Sequence, residues 1–338
     1  ACVGGLLLAL NLLRMVSGGA DSAAIGVYLP GNWDVPFGIV LVVDRLSALL
    51  LLLASSVALA GLLFSLAGWH RAGIHFHVLW QLQLLGLNGA FLTADVFNLF
   101  VFFEILLAAS YGLLLHGSGR ERVASGMHYI AINLAASSLL LIGIAILYGV
   151  TGTLNMADMA DKMPRVPAGD QGLLRVGAAV LAVAFLIKAA LWPLNFWLVP
   201  AYGAASPPVG ALFAIMTKVG VYALLRMWTL LFGGTAEVPA HGVDGAALGA
   251  TGAAAIDAAV QALPGALAAS SRFGAQALVW GGLATIGFGA IGMLASQRLS
   301  RLAGYSVIAS AGTLLAAFGF AQPALTAGAL YYLAVSSL

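Results

Sequence analysis

The chain has 338 residues, 62% of them apolar before its 42 glycines are counted, and only 8% charged. A soluble domain carries roughly 45–50% apolar residues with glycine included, and about 25% charged. Twelve acids and fourteen bases cannot build a wet surface over this length, which excludes a cytosolic enzyme, a nucleic-acid binder and a disordered chain and leaves an all-α, polytopic membrane protein.

The single cysteine, Cys2, excludes a disulfide framework, a CxxC redox centre and a thiolate metal site. The net charge of +2 advertises no polyanionic partner. The chain begins at Ala1 and stops at Leu338, each inside an apolar run, so both ends read as cut from something longer. Arg14 lies at the far end of the first run, which marks it as a membrane helix rather than a signal peptide.

Crossing the hydrocarbon takes about 20 residues. The sequence predicts about ten spans, two of them partial, over roughly 1–16, 39–66, 77–93, 96–116, 123–150, 171–192, 207–231, 273–295, 301–320 and 323–338. Four regions follow: N-terminal spans with an extracytoplasmic loop (1–76), a five-helix unit (77–232), a linker (233–272), and the start of a second helical unit (273–338). Gly18–Pro36 and its surroundings hold two β-prone pieces, Gly26–Leu29 and Ile39–Val43, consistent with a small hairpin. Thr151–Asp170 is the main polar loop, and the linker holds an amphipathic piece, Ala253–Leu263.

If the spans alternate, Arg71, Arg120, Arg122, Arg298 and Arg301 fall at one end. Asp21, Asp34, Asp158, Asp161, Asp170, Glu237, Asp244 and Asp257 fall at the other, with Lys162, Arg165 and Arg272 diluting the contrast. The positive-inside rule makes the arginine-rich end cytoplasmic.

Three charged residues sit inside predicted spans, where an ionised side chain costs at least about 2.5–3.5 kcal/mol on insertion scales. Glu104 is about 14 Å along its helix from Asp95. Lys218 is near mid-span, counted from Ser206–Pro207–Pro208, where Ser206 reads as an N-cap and Pro207 as the first helical residue. Lys188 precedes Pro193, which cannot donate to the carbonyl of Ala189 and so predicts a broken helix. Hydrocarbon disfavours an ammonium and a nearby carboxylate restores it, so a buried lysine beside a movable acid can load and release a proton. Glu104 and Lys188 form the natural pair, with Lys218 the next acceptor; a static salt bridge between helices is the structural alternative.

Weaker candidates are His128, which could feed protons to this file or simply sit at the interface, and His75 and His77, read as interfacial rather than metal ligands. Asp44 could pair locally with Arg45, and Arg226 reads as a snorkelling side chain. Asp95 reads as a helix cap beside Asn98. Tyr305, Ser306 and Ser310 either line a wet seam or bond across helices, and Gly282, Gly287 and Gly289 serve close packing. No nucleotide, haem or flavin motif is present, so no cofactor is expected.

The stretch Asn88–Glu104, followed by Ala109–Leu114, closely resembles the D-type subunit of the Mrp-type (Sha, Mnh or Pha) multisubunit cation/proton antiporters. So do Tyr148–Asp158 and Phe213–Tyr222. The resemblance covers nearly the whole chain and looks nearest to the Pha-like branch, described as potassium/proton antiporters. It implies kinship with the proton-pumping antiporter-like subunits of respiratory complex I, and a full fold of about fourteen spans of which this chain would cover the second to the eleventh. It carries over proton-translocating roles to Glu104, to Lys188 on a broken span, and to Lys218. A histidine implied for the eleventh span is missing from Tyr331–Ser337. The partners implied are the other antiporter subunits, notably the A and C types, with H⁺ and Na⁺ or K⁺ as cargo, in the bacterial inner membrane. The alternative is an antiporter-like subunit of complex I or of a membrane hydrogenase.

Overall fold

The computed structural model describes residues 1–17, 25–232 and 274–337. The linker 233–272, with its amphipathic piece 253–263, lies outside the described residues, as do residues 18–24. The described chain is mostly helical, with twelve α-helices and one small hairpin.

Helix α1 (Cys2–Ser17) packs along α2 (Arg45–Ser65). Between them β1 (Gly26–Tyr28) and β2 (Leu41–Val43) pair antiparallel, Gly26 opposite Val43 and Tyr28 opposite Leu41, where the β-prone pieces predicted a hairpin. Asp44 then caps α2 in a capping box: its carboxylate accepts from the Ser47 amide at 2.8 Å, and the Ser47 hydroxyl accepts from the Asp44 amide at 2.9 Å.

Helices α3 (Phe76–Leu92) and α4 (Val96–Leu115) form a tight antiparallel pair. A Cβ on Gly86 would stand 2.6 Å from Leu106 Cβ, so only glycine allows this approach. Asp95 caps α4 by accepting from the Asn98 amide at 2.7 Å, as its position predicted. Helix α5 (Arg120–Thr151) runs 32 residues and packs on α7 (Gln171–Lys188). Short α6 (Met156–Lys162) follows α5, capped by Asn155 through the Ala157 and Asp158 amides.

The turns before α4 and α6 pair with each other. Val96 donates to Leu154 O and Met156 to Ala94 O, both at 2.9 Å, with Asp95 facing Asn155. Ala94 also donates to Val40 O at 2.9 Å. A ledge of extended backbone thus ties the hairpin, α4 and α6 together at the acidic end, meeting the hydrogen-bond needs of chain that leaves the helices.

Helix α7 stops at Lys188. Ala190 takes a left-handed conformation (φ 55°), and the Trp192 amide donates across to Thr285 Oγ1 at 2.9 Å. Helix resumes as α8 (Leu198–Ala204). Helix α9 (Pro207–Phe232) follows and is the most enclosed of the long helices, with 78% of its apolar window buried against 22% for α10 (Ala275–Ala295). Ser206 was expected to cap α9 with its hydroxyl, but its Oγ is buried without a partner. Pro207 and Pro208 remove two of the amides such a cap could take, and the Ser206 carbonyl instead opens the ladder, accepting from Gly210 at 2.8 Å.

Helix α10 lies against α11 (Leu299–Gly319), and α12 (Pro323–Val335) follows. Gly282 meets Ala316 and Gly289 meets Ala309 at distances no side chain would permit, as the small-residue pattern predicted, whereas Gly287 faces open space. Among the described residues, seven helices are long and apolar enough to cross a membrane: α2, α4, α5, α7, α9, α10 and α11. The other three expected spans fall on α1, α3 and α12, of 16, 17 and 13 residues.

Candidate functional site: buried charge around the end of α7

Lys188 is the last residue of α7 and is 5% exposed. Its Nζ donates to Ser137 Oγ on α5 at 3.3 Å and lies 4.8 Å from the centre of the Phe103 ring on α4. Phe103 in turn lies beside Phe185 one turn back on α7, so the ammonium sits on an aromatic floor with one hydroxyl as its acceptor.

Glu104, the next residue on α4, is half-buried. Its Oε1 is occluded and without a hydrogen bond. Its charge acts on Lys188, and also on Tyr111 two turns further along α4. Yet among the described residues no Lys188–Glu104 contact falls within 4 Å. The two groups are electrostatic neighbours and form no salt bridge in this structure. Their side chains leave adjacent positions on different elements, and Phe103 and Ser137 take the space around the amine.

Lys218, on α9, is 3% exposed and has no ion pair or hydrogen bond among the described residues. The elements bring it close to Lys188. A Cβ on Gly220 would lie 2.7 Å from the Ala189 nitrogen and 2.8 Å from the Lys188 carbonyl carbon. Helix geometry and bond lengths then put the two lysine Cα atoms within roughly 11 Å of each other.

His128 does not join this group. It is exposed, with Nδ1 3.0 Å from Ala124 O of its own helix. The buried stripe of α5 instead carries Tyr129, Asn133 and Ser137. Tyr129 hydrogen-bonds Ser110 Oγ at 2.8 Å and packs on Tyr111, Trp197 and Phe213. Tyr202 donates to Phe213 O at 2.7 Å, and Trp197 Nε1 donates to Ile187 O at 3.2 Å. Sequence reasoning missed this aromatic cluster, because its members come from four elements with no shared spacing.

It also misread Arg226. Rather than snorkelling, Arg226 grips Asp44 with both Nη atoms, Nη2 donating to Oδ1 at 2.9 Å. Its Nε donates to Tyr222 OH at 3.1 Å, which donates to Phe91 O at 2.9 Å. Enclosed on α9, Arg226 finds the cap of α2 sooner than it finds water. Arg45, the expected partner of Asp44, donates to Val16 O at 3.3 Å instead. Burial raises the Asp44 pKa, but Arg226 and Ser47 outweigh it and hold the carboxyl below its usual range. Asp95, 7% exposed, is shifted up by burial despite its bonds to the Asn98 and Phe97 amides.

Residues 93–243 match the family model described as NADH:quinone oxidoreductase/Mrp antiporter, transmembrane. The chain is 53% identical over 333 residues to a protein of Rhizobium meliloti (strain 1021) named as the probable D-type subunit of a K⁺/H⁺ antiporter, covering 98% of this chain and 56% of that protein. It is 35% identical over 306 residues to the D-type subunit of the Na⁺/H⁺ antiporter of Bacillus subtilis (strain 168), covering 90% and 55%. It superposes on the Mrp complex of Dietzia sp. DQ12-45-1b with a TM-score of 0.80 and 29% identity, covering 99% of this chain and 56% of that one. It superposes on respiratory complex I of Thermus thermophilus with a TM-score of 0.73 at 23% identity, covering 99% and 63%, a likeness of fold alone. The curated relatives are named as antiporter subunits, transporters rather than enzymes, and the chain spans about half their length.

Proposed function

We propose that the chain belongs to the family described by the matching model, NADH:quinone oxidoreductase/Mrp antiporter, and that it is part of the D-type subunit of a multisubunit cation/proton antiporter. In this reading it carries protons through Glu104, Lys188 and Lys218 in exchange for a monovalent cation. Its relatives are named for K⁺ and for Na⁺; the greater identity to the K⁺/H⁺-named protein favours K⁺. Other antiporter subunits, A and C types among them, are its partners in the bacterial inner membrane, with the arginine-rich end in the cytoplasm. Helices α1, α3 and α12 also cross, and α7, the turn after it and α8 act as one discontinuous span, giving ten. Residues 77–232 are the conducting unit.

The observation that carries the reading is that Lys188 and Lys218 are both buried, on helices that touch where the end of α7 meets Gly220 of α9. Lys188 holds its proton on Ser137 rather than in a fixed ion pair. A closed Glu104–Lys188 salt bridge would resemble a structural rivet; the open arrangement leaves the carboxylate free to approach and withdraw. Approach favours the ammonium, and withdrawal frees the proton toward the neutral Lys218 amine through water. His128 is exposed near the start of α5 and, among the described residues, makes no hydrogen bond or ion pair with Glu104, Lys188 or Lys218.

The test is the whole complex in proteoliposomes, with Lys218→Ala or Glu104→Ala in this subunit. Cation-driven proton flux should be lost; flux at the wild-type level rejects the scheme. A place in a complex I-type oxidoreductase is the less favoured reading, because the relatives at 53% and 35% identity are named as antiporter subunits.

A further inference from the structure

A cavity of about 600 Å³ opens at the arginine-rich end, between the start of α5, the segment from Asn195 through α8, α10 and the start of α11. The proton file uses none of the residues around it. Its polar side is built from Ser125, Asn195, Arg298, Ser300, Arg301 and Tyr305. Among the described residues, the hydroxyls of Ser125, Ser300 and Tyr305 make no hydrogen bond, and Arg301 makes no ion pair. Asn195 is 2% exposed, and its Nδ2 has no acceptor. Helix α11 starts here at Leu299 with no side chain capping it, so its first amides and the positive end of its dipole add to the same corner. Glu121 is the one acid on the wall and stands 3.8 Å from Arg298, leaving Arg301 as uncompensated charge.

The opposite side is apolar, formed by Phe196, Val199, Pro200 and Phe288. Phe196 and Phe288 keep 57% and 37% of their surface exposed. Unsatisfied donors and a spare cation call for an anion with several acceptor oxygens. The aromatic wall gives nothing to a free anion, but it suits a glycerol ester and the head of an acyl chain. In the membrane placement proposed above, the helix starts beside the cavity would lie near the lipid headgroups.

We propose that this cavity holds the phosphodiester of one acidic phospholipid, with Arg301, Ser300 and the start of α11 on the phosphate and Phe196 and Phe288 against the glycerol region. The proposal rests on the membrane placement of the chain and is independent of the proton file.

The test is native mass spectrometry of the intact, delipidated antiporter complex, titrated with phosphatidylglycerol, with phosphatidylcholine, or with inorganic phosphate as competitor. Wild type should retain one more phosphatidylglycerol than the Arg301→Gln/Ser300→Ala variant, with apparent affinity at least tenfold higher. Phosphatidylcholine should not occupy the site, and phosphate should not displace the lipid. Equal lipid binding by wild type and variant overturns the proposal. So does full competition by phosphate, which marks a free-anion site, or a wild-type complex that takes up no acidic lipid, which marks a cavity filled by another subunit. If the double variant does not assemble, Ser300→Ala alone removes only a hydroxyl placed on the phosphate, and an affinity unchanged from wild type in that variant overturns the proposal equally. Lipid binding lost with proton flux intact separates this result from the function proposed above.

Discussion

Gly220 of α9 lies against the peptide that ends α7, with space for no more than a hydrogen between it and Ala189. Gly220→Ala would press a methyl group to 2.7 Å from the Ala189 nitrogen, and overpacking of this kind costs about 1–3 kcal/mol. The helices must part, carrying Lys218 away from Lys188. The expected result is a complex that assembles with lowered thermal stability and loses most of its cation-driven proton flux, read in proteoliposomes with a pH-sensitive dye.

Ser137 is the one hydroxyl holding the Lys188 amine. A hydrogen bond to a charged group contributes about 1.5–3 kcal/mol, so Ser137→Ala should slow proton flux by about tenfold or more. Ser137→Thr keeps the hydroxyl and should restore most of the rate. The dependence of flux on pH should shift in the alanine variant and return in the threonine one, which a purely packing role for Ser137 would not produce.

Asp44 and Arg226 join the cap of α2 to the central helix. Arg226→Met should cost about 1–3 kcal/mol, below the range for a fully buried pair because the two side chains keep 26% and 16% exposure. Exchanging the charges, Asp44→Arg with Arg226→Asp, should recover part of the loss in thermal unfolding of the complex. The lowered Asp44 pKa means the unfolded chain takes up this proton first as pH falls. Its contribution is therefore complete above the ordinary carboxylate pKa and fades as pH drops through the lowered one. The Met variant should lack that acid sensitivity.

His116, at the end of α4, packs on Phe76 with the rings tilted at 54° and with its Nε2 occluded and unpartnered. Burial, with help from Arg122, lowers its pKa against a smaller opposing effect from a bond to Trp69. The fold thus favours the neutral ring, and protons bind the unfolded chain more readily. Stability from this residue is present above the ordinary histidine pKa of about 6.5 and declines as pH falls below it. Between about pH 7.5 and about pH 5.5 the wild-type complex should lose more thermal stability than His116→Leu.

Much of this was legible from residue order. Apolar runs placed the helices, the β-prone pieces placed the hairpin, and the cost of charge in hydrocarbon singled out Lys188 and Lys218, both of which the fold buries. What sequence could not supply was facing direction and distance. Arg226 looked free because its acid lies 182 positions away along the chain. His128 looked like part of the polar stripe of α5, yet one position of helical rotation turns it outward while Tyr129 points in. For Glu104 and Lys188, span alignment sets height and says little about lateral separation.

The stitched turns ahead of α4 and α6 restrict how any conduction cycle can proceed. With Ala94 and Val96 bonded on both sides, to Val40, Met156 and Leu154, the foot of the glutamate-bearing helix is clamped like a post in a socket. Sliding or lifting it would tear all of these peptide partners loose together, so under the proposed scheme the moving part would be the carboxylate's own short arm, pivoting on stationary backbone. Such a device can cycle often without disturbing its scaffold.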